Sequence, residues 1–272
     1  MTKTFKQKKT LGLALGSGGW RGQAHIGVIK TLLEAGIKID YIAGASAGAL
    51  VGGSYCAVQN INLLEEIFRE KISTKQLIRA FSDPSLKGGL IKGKKVTKMF
   101  ENLFGKKQIE DLPIPFCAMA SDLLTGAVVE INEGSLSNAI RASISVPFVF
   151  EPVKYKGYRL IDGATAVPIP VKTVKQMGAD VVIAVSLYKN VFPVKTTAKI
   201  NSLKAILKTS QVMLCHLAKY SSHEADLVLE PDIPESGVYS DPFSGFAKDE
   251  GTIEAGEEVA QANLAKIKQL LS

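Results

Sequence analysis

One serine of the sequence has the setting expected for a catalytic nucleophile. Ser46 is the centre of Gly44-Ala45-Ser46-Ala47-Gly48, which has the pattern G-x-S-x-G. An apolar run typical of a strand enters this motif, and a run typical of a buried helix leaves it. In a nucleophile elbow the serine lies on a tight turn between a strand and a helix, with its hydroxyl at the carboxyl edge of the sheet. The motif therefore indicates nucleophilic chemistry, although a glycine-rich packing turn with an incidental serine has the same pattern.

A glycine-rich segment at residues 16–22 also lies between a predicted strand and a predicted helix. Successive backbone N–H groups in such a turn can converge on an anion, either a nucleotide pyrophosphate or the oxyanion of an acyl-transfer intermediate. The dinucleotide fingerprint requires a glycine where this chain has Arg21. Because the glycine loop and the serine motif follow neighbouring predicted strands, the oxyanion interpretation is favoured, with the loop amides about 3 Å from the reacting oxygen.

A serine nucleophile needs a general base, and the histidines are poorly placed for that role. None of the three follows a predicted strand, and a packing or surface role is favoured for His25, His216 and His223. Asp162 does follow a short apolar strand, and a glycine comes after it. Spacing alone does not distinguish Asp162 from other aspartates such as Asp122 and Asp180.

The elements that must position these residues alternate between apolar strands and helices. Strands are predicted at 11–15, 40–43, 116–121, 127–131, 158–161, 180–185 and 226–230. Helices are predicted at 22–35, 47–58, 63–71, 95–104, 135–143, 199–221 and 252–270. This alternation predicts an α/β fold with a largely parallel sheet. No linker-like stretch divides the chain, so we expect one domain over residues 1–272.

The composition is that of a folded globular protein, with 46% hydrophobic and 22% charged residues and a net charge of +7. Lysines cluster in the tail at 1–9 and in the glycine-rich segment 81–95, which we interpret as a loop and a candidate lid. Solvated loops explain both clusters, and peripheral contact with an anionic membrane is the alternative. Basic and aromatic residues do not alternate as they do in single-strand-binding surfaces, so we expect no nucleic-acid partner.

Cysteine usage and hydropathy bear on the compartment. The three cysteines lie far apart, which argues against a disulfide framework or a zinc site and favours reduced thiols in the cytoplasm. No apolar signal-peptide region follows the basic amino terminus, and the weakly polar run 41–58 is interrupted by glycine and serine. We therefore expect a cytoplasmic protein without a transmembrane segment, at most peripheral to the inner face of the membrane. No acidic cluster has metal-loop spacing, so neither a metal nor another cofactor is expected, and the oligomeric state is not predicted.

Taken together, these motifs resemble the patatin-like phospholipases, particularly their compact bacterial members. The resemblance covers roughly residues 9–190 and is carried by the segments 17–22, 44–48, 141–147 and 162–164. It implies a three-layer sandwich in which helices flank a central, mostly parallel sheet. Ser17 replaces the first glycine of the family's loop, a variation that bacterial members tolerate.

The resemblance also implies roles for individual residues. Ser46 would be the nucleophile and Asp162 the general base of a dyad, while Gly18 and Gly19 would supply the amides of the oxyanion hole. Arg21 would be the basic residue that ends the loop, where it either steers an anionic phosphate of the substrate or anchors the loop.

The expected function is a phospholipase or lysophospholipase that cleaves lipid acyl esters through an acyl-enzyme. Its substrate would be a phospholipid or another lipid ester, and the mechanism needs no cofactor. Two alternatives remain open. One is an acyltransferase or thioesterase on the same scaffold, and the other is a non-catalytic nucleotide-binding or regulatory protein that uses the glycine loop.

Overall fold

A computed structural model describes residues 9–71, 76, 79–85, 88–191, 202–233 and 251–272. The strands are β1 (Leu11–Leu15), β2 (Tyr41–Ala45), β3 (Gly89–Ile91), β4 (Phe116–Asp122), β5 (Val128–Ile131), β6 (Phe148–Phe150), β7 (Val153–Tyr155), β8 (Tyr158–Asp162), β9 (Val181–Val185) and β10 (Leu227–Leu229). The α-helices are α1 (Ala24–Glu34), α2 (Ala47–Val58), α3 (Ile61–Glu66), α4 (Lys94–Phe104), α5 (Leu136–Ser143), α6 (Val171–Gln176), α7 (Ser202–Ser222) and α8 (Thr252–Leu271). Short 3₁₀-helices occupy Gly19–Gln23, Ile109–Asp111 and Gly163–Thr165, and a π-helical turn occupies Ile67–Lys71.

The main sheet has the strand order β10-β9-β1-β2-β4-β8-β7, and β5 also pairs with β4. The strands from β10 to β4 are parallel, whereas β5, β7 and β8 pair in antiparallel fashion. β3 and β6 form a separate two-stranded parallel sheet. A mostly parallel central sheet confirms the predicted fold class.

Helices cover both faces of the sheet, which explains why its central strands are apolar throughout. On β1, Leu11, Leu13 and Leu15 pack into the larger core, which also receives apolar residues of α1, α2 and α8. Ala14, on the opposite face, belongs to a second core that includes Val174 of α6 and residues of β9. The alternation of side chains along β1 therefore separates two apolar layers, as a three-layer sandwich requires.

The pairing of β4 brings the ends of β2 and β8 together. Met119 of β4 pairs with Ala45 of β2, and the next residue, Ala120, pairs with Asp162 of β8. Because β5 pairs with both Met119 and Ala120 from the other side, β2 and β8 must share one side of β4. The residue that follows β2 and the last residue of β8 consequently meet at one point.

Several short elements differ from the sequence prediction. The predicted helix at 63–71 is α3 followed by the π-helical turn. The segment 81–95 is not a loop throughout, because its described part contains β3 and the first residues of α4. β6, β7 and α6 were not predicted, since elements of three to six residues are too short for a clear periodic pattern. Residues 1–8 of the basic tail lie outside the described residues.

Candidate active site

Ser46 lies in a strained turn between β2 and α2. Its backbone has φ 52° and ψ −116°, a conformation that costs a non-glycine residue on the order of 1–3 kcal/mol. A Cβ atom on Gly44 would lie 2.3 Å from the carbonyl carbon of Gly48, and one on Gly48 would lie 2.0 Å from the carbonyl oxygen of Leu15. Close packing of strand and helix therefore requires both glycines of the G-x-S-x-G motif, and the serine has the geometry of a nucleophile elbow.

Asp162 is the hydrogen-bond partner of Ser46. The Ser46 hydroxyl donates to Oδ2 of Asp162 at 2.7 Å, and both residues are buried, with 8% and 4% of their surfaces exposed. The other carboxylate oxygen, Oδ1, accepts the backbone N–H of Ala164 at 2.8 Å. The carboxylate is thus fixed at both oxygens, and one of them is directed at the serine.

Burial changes the acid–base behaviour of Asp162. Desolvation of the buried carboxylate raises its pKa to about 6, against the opposing effect of the hydrogen bonds from Ser46 and Ala164. A general base works best when its pKa is near the operating pH, and an unperturbed aspartate at about 3.9 is far below it. The environment of Asp162 therefore favours proton abstraction near neutral pH.

Two serines, one at the end of α5 and one just after it, hold both members of this pair. The Ser143 hydroxyl accepts the backbone N–H of Ser46 at 2.9 Å, and the carbonyl of Ser145 accepts the backbone N–H of Asp162 at 2.9 Å. Both serines are fully buried, and Arg141 donates to the Ser145 hydroxyl at 2.6 Å. The sequence indicated no role for these side chains beyond a family likeness. The available signal in the sequence was an arginine followed by small residues.

The glycine loop is held so that two of its amides remain available. Gly16 N–H donates to the Val185 carbonyl at 3.0 Å, and Ser17 N–H donates to the Pro168 carbonyl at 2.9 Å. Within the described ranges, the N–H groups of Gly18 and Gly19 have no protein acceptor. These two amides can therefore bind an anion.

The loop also packs directly against the serine elbow. A Cβ on Gly22 would lie 2.6 Å from Cβ of Ala47, the residue after Ser46, and a Cβ on Gly48 would lie 2.9 Å from the Gly16 carbonyl oxygen. Such close approach at two points places the loop beside the nucleophile. The predicted meeting of the two motifs at one edge of the sheet is what the structure shows.

Arg21 and Trp20 lie on the short 3₁₀-helix at the end of the loop. Nε of Arg21 donates to the Gly18 carbonyl at a long 3.4 Å, a weak contact within the loop. Trp20 is only 5% exposed and belongs to the larger apolar core. Packing is therefore the role that its surroundings support.

The histidines do not reach the Ser46–Asp162 pair. His216 and His223 are exposed, and His25 is buried with its Nε2 2.7 Å from the Gly16 carbonyl oxygen. Among the described residues, neither Ser46 nor Asp162 has a hydrogen bond to a histidine. In the same part of the chain, no group of three or more His, Cys, Asp or Glu side chains could hold a metal ion. The chemistry available at this site is that of a serine and a carboxylate.

Comparisons with known proteins identify the family of the chain. A family profile described as patatin-like phospholipase matches residues 13–175, which include the glycine loop, Ser46 and Asp162. An uncharacterized NTE family protein of Mycobacterium tuberculosis is 44% identical over 176 residues, covering 64% of this chain and 48% of that protein. Neuropathy target esterase of Drosophila melanogaster is 32% identical over 182 residues, covering 65% of this chain and 13% of that protein.

A solved structure shares the fold. The crystal structure of VipD from Legionella pneumophila aligns with a TM-score of 0.52 at 13% identity, over 98% of this chain and 72% of that one. The fold and the family profile together define the class of protein. The chain belongs to the patatin-like phospholipase family, which confirms the resemblance seen in its motifs. It spans about half the length of the mycobacterial relatives that are 44% identical to it.

The raised pKa of Asp162 predicts that Asp162→Asn stabilises the protein. Above pH 6 the carboxylate is charged in both the folded and the unfolded state, and burial of this charge lowers the free energy of unfolding. Below pH 3.8 the carboxyl group is protonated in both states, and this destabilisation disappears. A difference of about two pKa units corresponds to at most about 3 kcal/mol. We expect the variant to gain about 1–3 kcal/mol in the free energy of unfolding at pH 7.5, and less as the pH falls to 4.

Denaturant unfolding of the wild type and the variant at several pH values measures this effect. Asp111→Asn, at an exposed aspartate, is the matched control and should leave the free energy of unfolding nearly unchanged. A lower stability of Asp162→Asn at pH 7.5 would show that the hydrogen bonds of the carboxylate outweigh its desolvation.

Proposed function

We propose that the chain forms one acyl hydrolase domain that cleaves the acyl esters of phospholipids or lysophospholipids through a Ser46–Asp162 dyad. The observation that carries this proposal is the 2.7 Å hydrogen bond between a strained elbow serine and a buried aspartate. Membership of the patatin-like phospholipase family supports a lipid ester as the substrate. The likeness to neuropathy target esterase supports ester hydrolysis as the reaction.

The first half of the reaction acylates Ser46. Asp162 accepts the hydroxyl proton as Oγ attacks the ester carbonyl, and the carbonyl oxygen becomes an oxyanion. The N–H groups of Gly18 and Gly19 stabilise that charge, because they are fixed in place and have no protein acceptor in the described structure. When the tetrahedral intermediate collapses, the C–O bond breaks and the proton on Asp162 passes to the leaving alcohol.

The second half regenerates the enzyme with the same residues. Asp162, ionised again, takes a proton from a water molecule that attacks the acyl-enzyme carbonyl. Collapse of the second intermediate releases the fatty acid and returns the proton to Oγ of Ser46. An acyltransferase or thioesterase on this scaffold would differ only in the acyl acceptor or the leaving group.

We further propose that the protein contacts anionic membranes from the cytoplasmic side. Leu90 and Phe148, on the paired strands β3 and β6, are 71% and 65% exposed. Lys92, Lys94 and Lys95 follow on the same segment and are also exposed. Apolar side chains beside lysines suit the interface of an anionic bilayer, and the described part of 81–95 would then serve as a lid. Across the described helices, none combines the length and apolar character needed to span a bilayer.

Hydrolysis by two variants tests the dyad. We expect Ser46→Ala to abolish the release of fatty acid from phospholipid vesicles and of chromophore from a short-chain ester. Asp162→Asn should lower kcat/KM by about 10²–10⁴-fold, the range that general-base catalysis contributes. Ser210→Ala and Asp111→Asn, at exposed positions, are the matched controls and should retain wild-type rates.

Full activity in Ser46→Ala would contradict the proposed function. An inactive wild type that is stabilised by dinucleotides, with that stabilisation lost on substitution of Gly18, would instead favour the nucleotide-binding alternative.

The acid limb of the pH–rate profile tests the state of the base. The dyad works only when Asp162 is ionised. We therefore expect kcat/KM to rise with pH as one proton is lost, with an apparent pKa of about 6. Initial rates on a neutral short-chain ester between pH 4 and 8.5 measure this limb without titration of the substrate. The residual activity of Asp162→Asn should show no acid limb in its pH–rate profile. An acid limb near pH 4 in the wild type would contradict the desolvated environment of Asp162.

A further inference from the structure

His25 is a buried histidine whose hydrogen bonding is fixed by its surroundings. It is the second residue of α1, has no exposed surface, and places Nε2 2.7 Å from the Gly16 carbonyl oxygen. A carbonyl oxygen can only accept, so Nε2 carries the proton and Nδ1 does not. Burial lowers the pKa of the ring to about 4 despite the hydrogen bond to Gly16, so the ring stays neutral under ordinary conditions.

The carbonyl that His25 holds belongs to the peptide unit that enters the anion-binding part of the loop. The same peptide unit contains the N–H of Ser17, which donates to the Pro168 carbonyl at 2.9 Å. This peptide plane is therefore held at its carbonyl by His25 of α1 and at its N–H by Pro168, which is distant in sequence. The Ser17 hydroxyl adds a third contact, 2.6 Å from the hydroxyl of Tyr188.

Packing alone does not explain a histidine at this position. Nδ1 of His25 is buried and has no hydrogen-bond partner within the described structure. An unpaired buried nitrogen destabilises a folded protein, so an apolar side chain of similar size would be favoured if the position served only the core. The ring's distinctive contribution is the Nε2–H donor at the Gly16 carbonyl.

We propose that His25 is a positioning residue for the oxyanion hole. Its neutral Nε2–H fixes the Gly16–Ser17 peptide, and this fixes the direction in which the next amides, of Gly18 and Gly19, point. Arg21 makes a long contact with the Gly18–Gly19 peptide unit through the Gly18 carbonyl. The role rests on the proposed function, because it orients donors toward an oxyanion formed at Ser46.

A residue that orients oxyanion donors has a distinctive kinetic signature. These donors act mainly in the transition state, so loosening them lowers kcat and leaves KM nearly unchanged. Loss of one complete donor costs about 10²–10³-fold in kcat, and misorientation of the loop should cost about 10–100-fold.

Three substitutions of His25 distinguish the effect of the Nε2–H donor from the effect of the size of the ring. The amide nitrogen of His25→Gln reaches about as far as Nε2, so it can donate to the Gly16 carbonyl. The shorter amide of His25→Asn cannot reach it, and His25→Leu has no donor. We expect kcat within a few fold of wild type for Gln, and a loss of about 10–100-fold for Asn and Leu with KM within about twofold.

Thermal unfolding of the same preparations separates stability from rate. Rescue of kcat by Gln but not by Asn, at similar midpoints, supports positioning. Wild-type kcat in His25→Leu, or equal losses in all three variants, overturns the proposal. A wild type inactive on every ester overturns the proposed function and this role with it, whereas unchanged kcat in an active His25→Leu overturns the role alone.

A measurement on the wild type does not depend on how the variants fold. In ¹⁵N-histidine-labelled protein, the shifts of His25 should show the neutral Nε2–H tautomer without titration from pH 5 to 8. His216 and His223 are exposed and serve as internal references. The opposite tautomer, or titration of His25 near pH 6.5, overturns the proposal.

Discussion

The hydrogen bond from Ser46 to Asp162 exists because β4 pairs with two different strands along one side. Its first residues pair with β2 and its last with β8, so the chain leaves β2 where β8 arrives. Ser46 and Asp162 are 116 positions apart in sequence and meet at 2.7 Å. A shift of one residue in either pairing would turn the side chains to opposite faces and separate them. The register of β4 is therefore the constraint on which the site depends.

Burial of Asp162 makes the carboxylate a stronger base and also lowers the stability of the fold. The interior that raises the pKa of Asp162 to about 6 does so by disfavouring the charged carboxylate that the proposed reaction needs. The strained backbone of Ser46 adds a second cost at the same point. Buried hydrogen bonds to the Ser143 hydroxyl and the Ser145 carbonyl hold the two backbones in place. The surrounding structure thus stabilises an arrangement that is unfavourable by itself, as is common where a fold carries chemistry.

The sequence predicted the parts of the site that depend on local pattern. Glycine spacing and the change from strand to helix indicated Ser46 and the glycine loop, because close backbone packing requires glycine at defined positions. The sequence could not separate Asp162 from Asp122 and Asp180, because the difference lies in long-range contacts. Asp122 accepts hydrogen bonds within the turn after β4 and from the Arg159 N–H, and Asp180 accepts from Thr10. Only the pairing of β8 with β4 gives Asp162 its partner.

The structure of the adduct between the protein and a fluorophosphonate tests the central claim most directly, namely that one serine, one carboxylate and two loop amides surround a single ester group. The account predicts phosphorus bonded to Oγ of Ser46 and a phosphonyl oxygen about 3 Å from the N–H groups of Gly18 and Gly19. Phosphorus on another residue, or a phosphonyl oxygen directed away from the glycine loop, would contradict it.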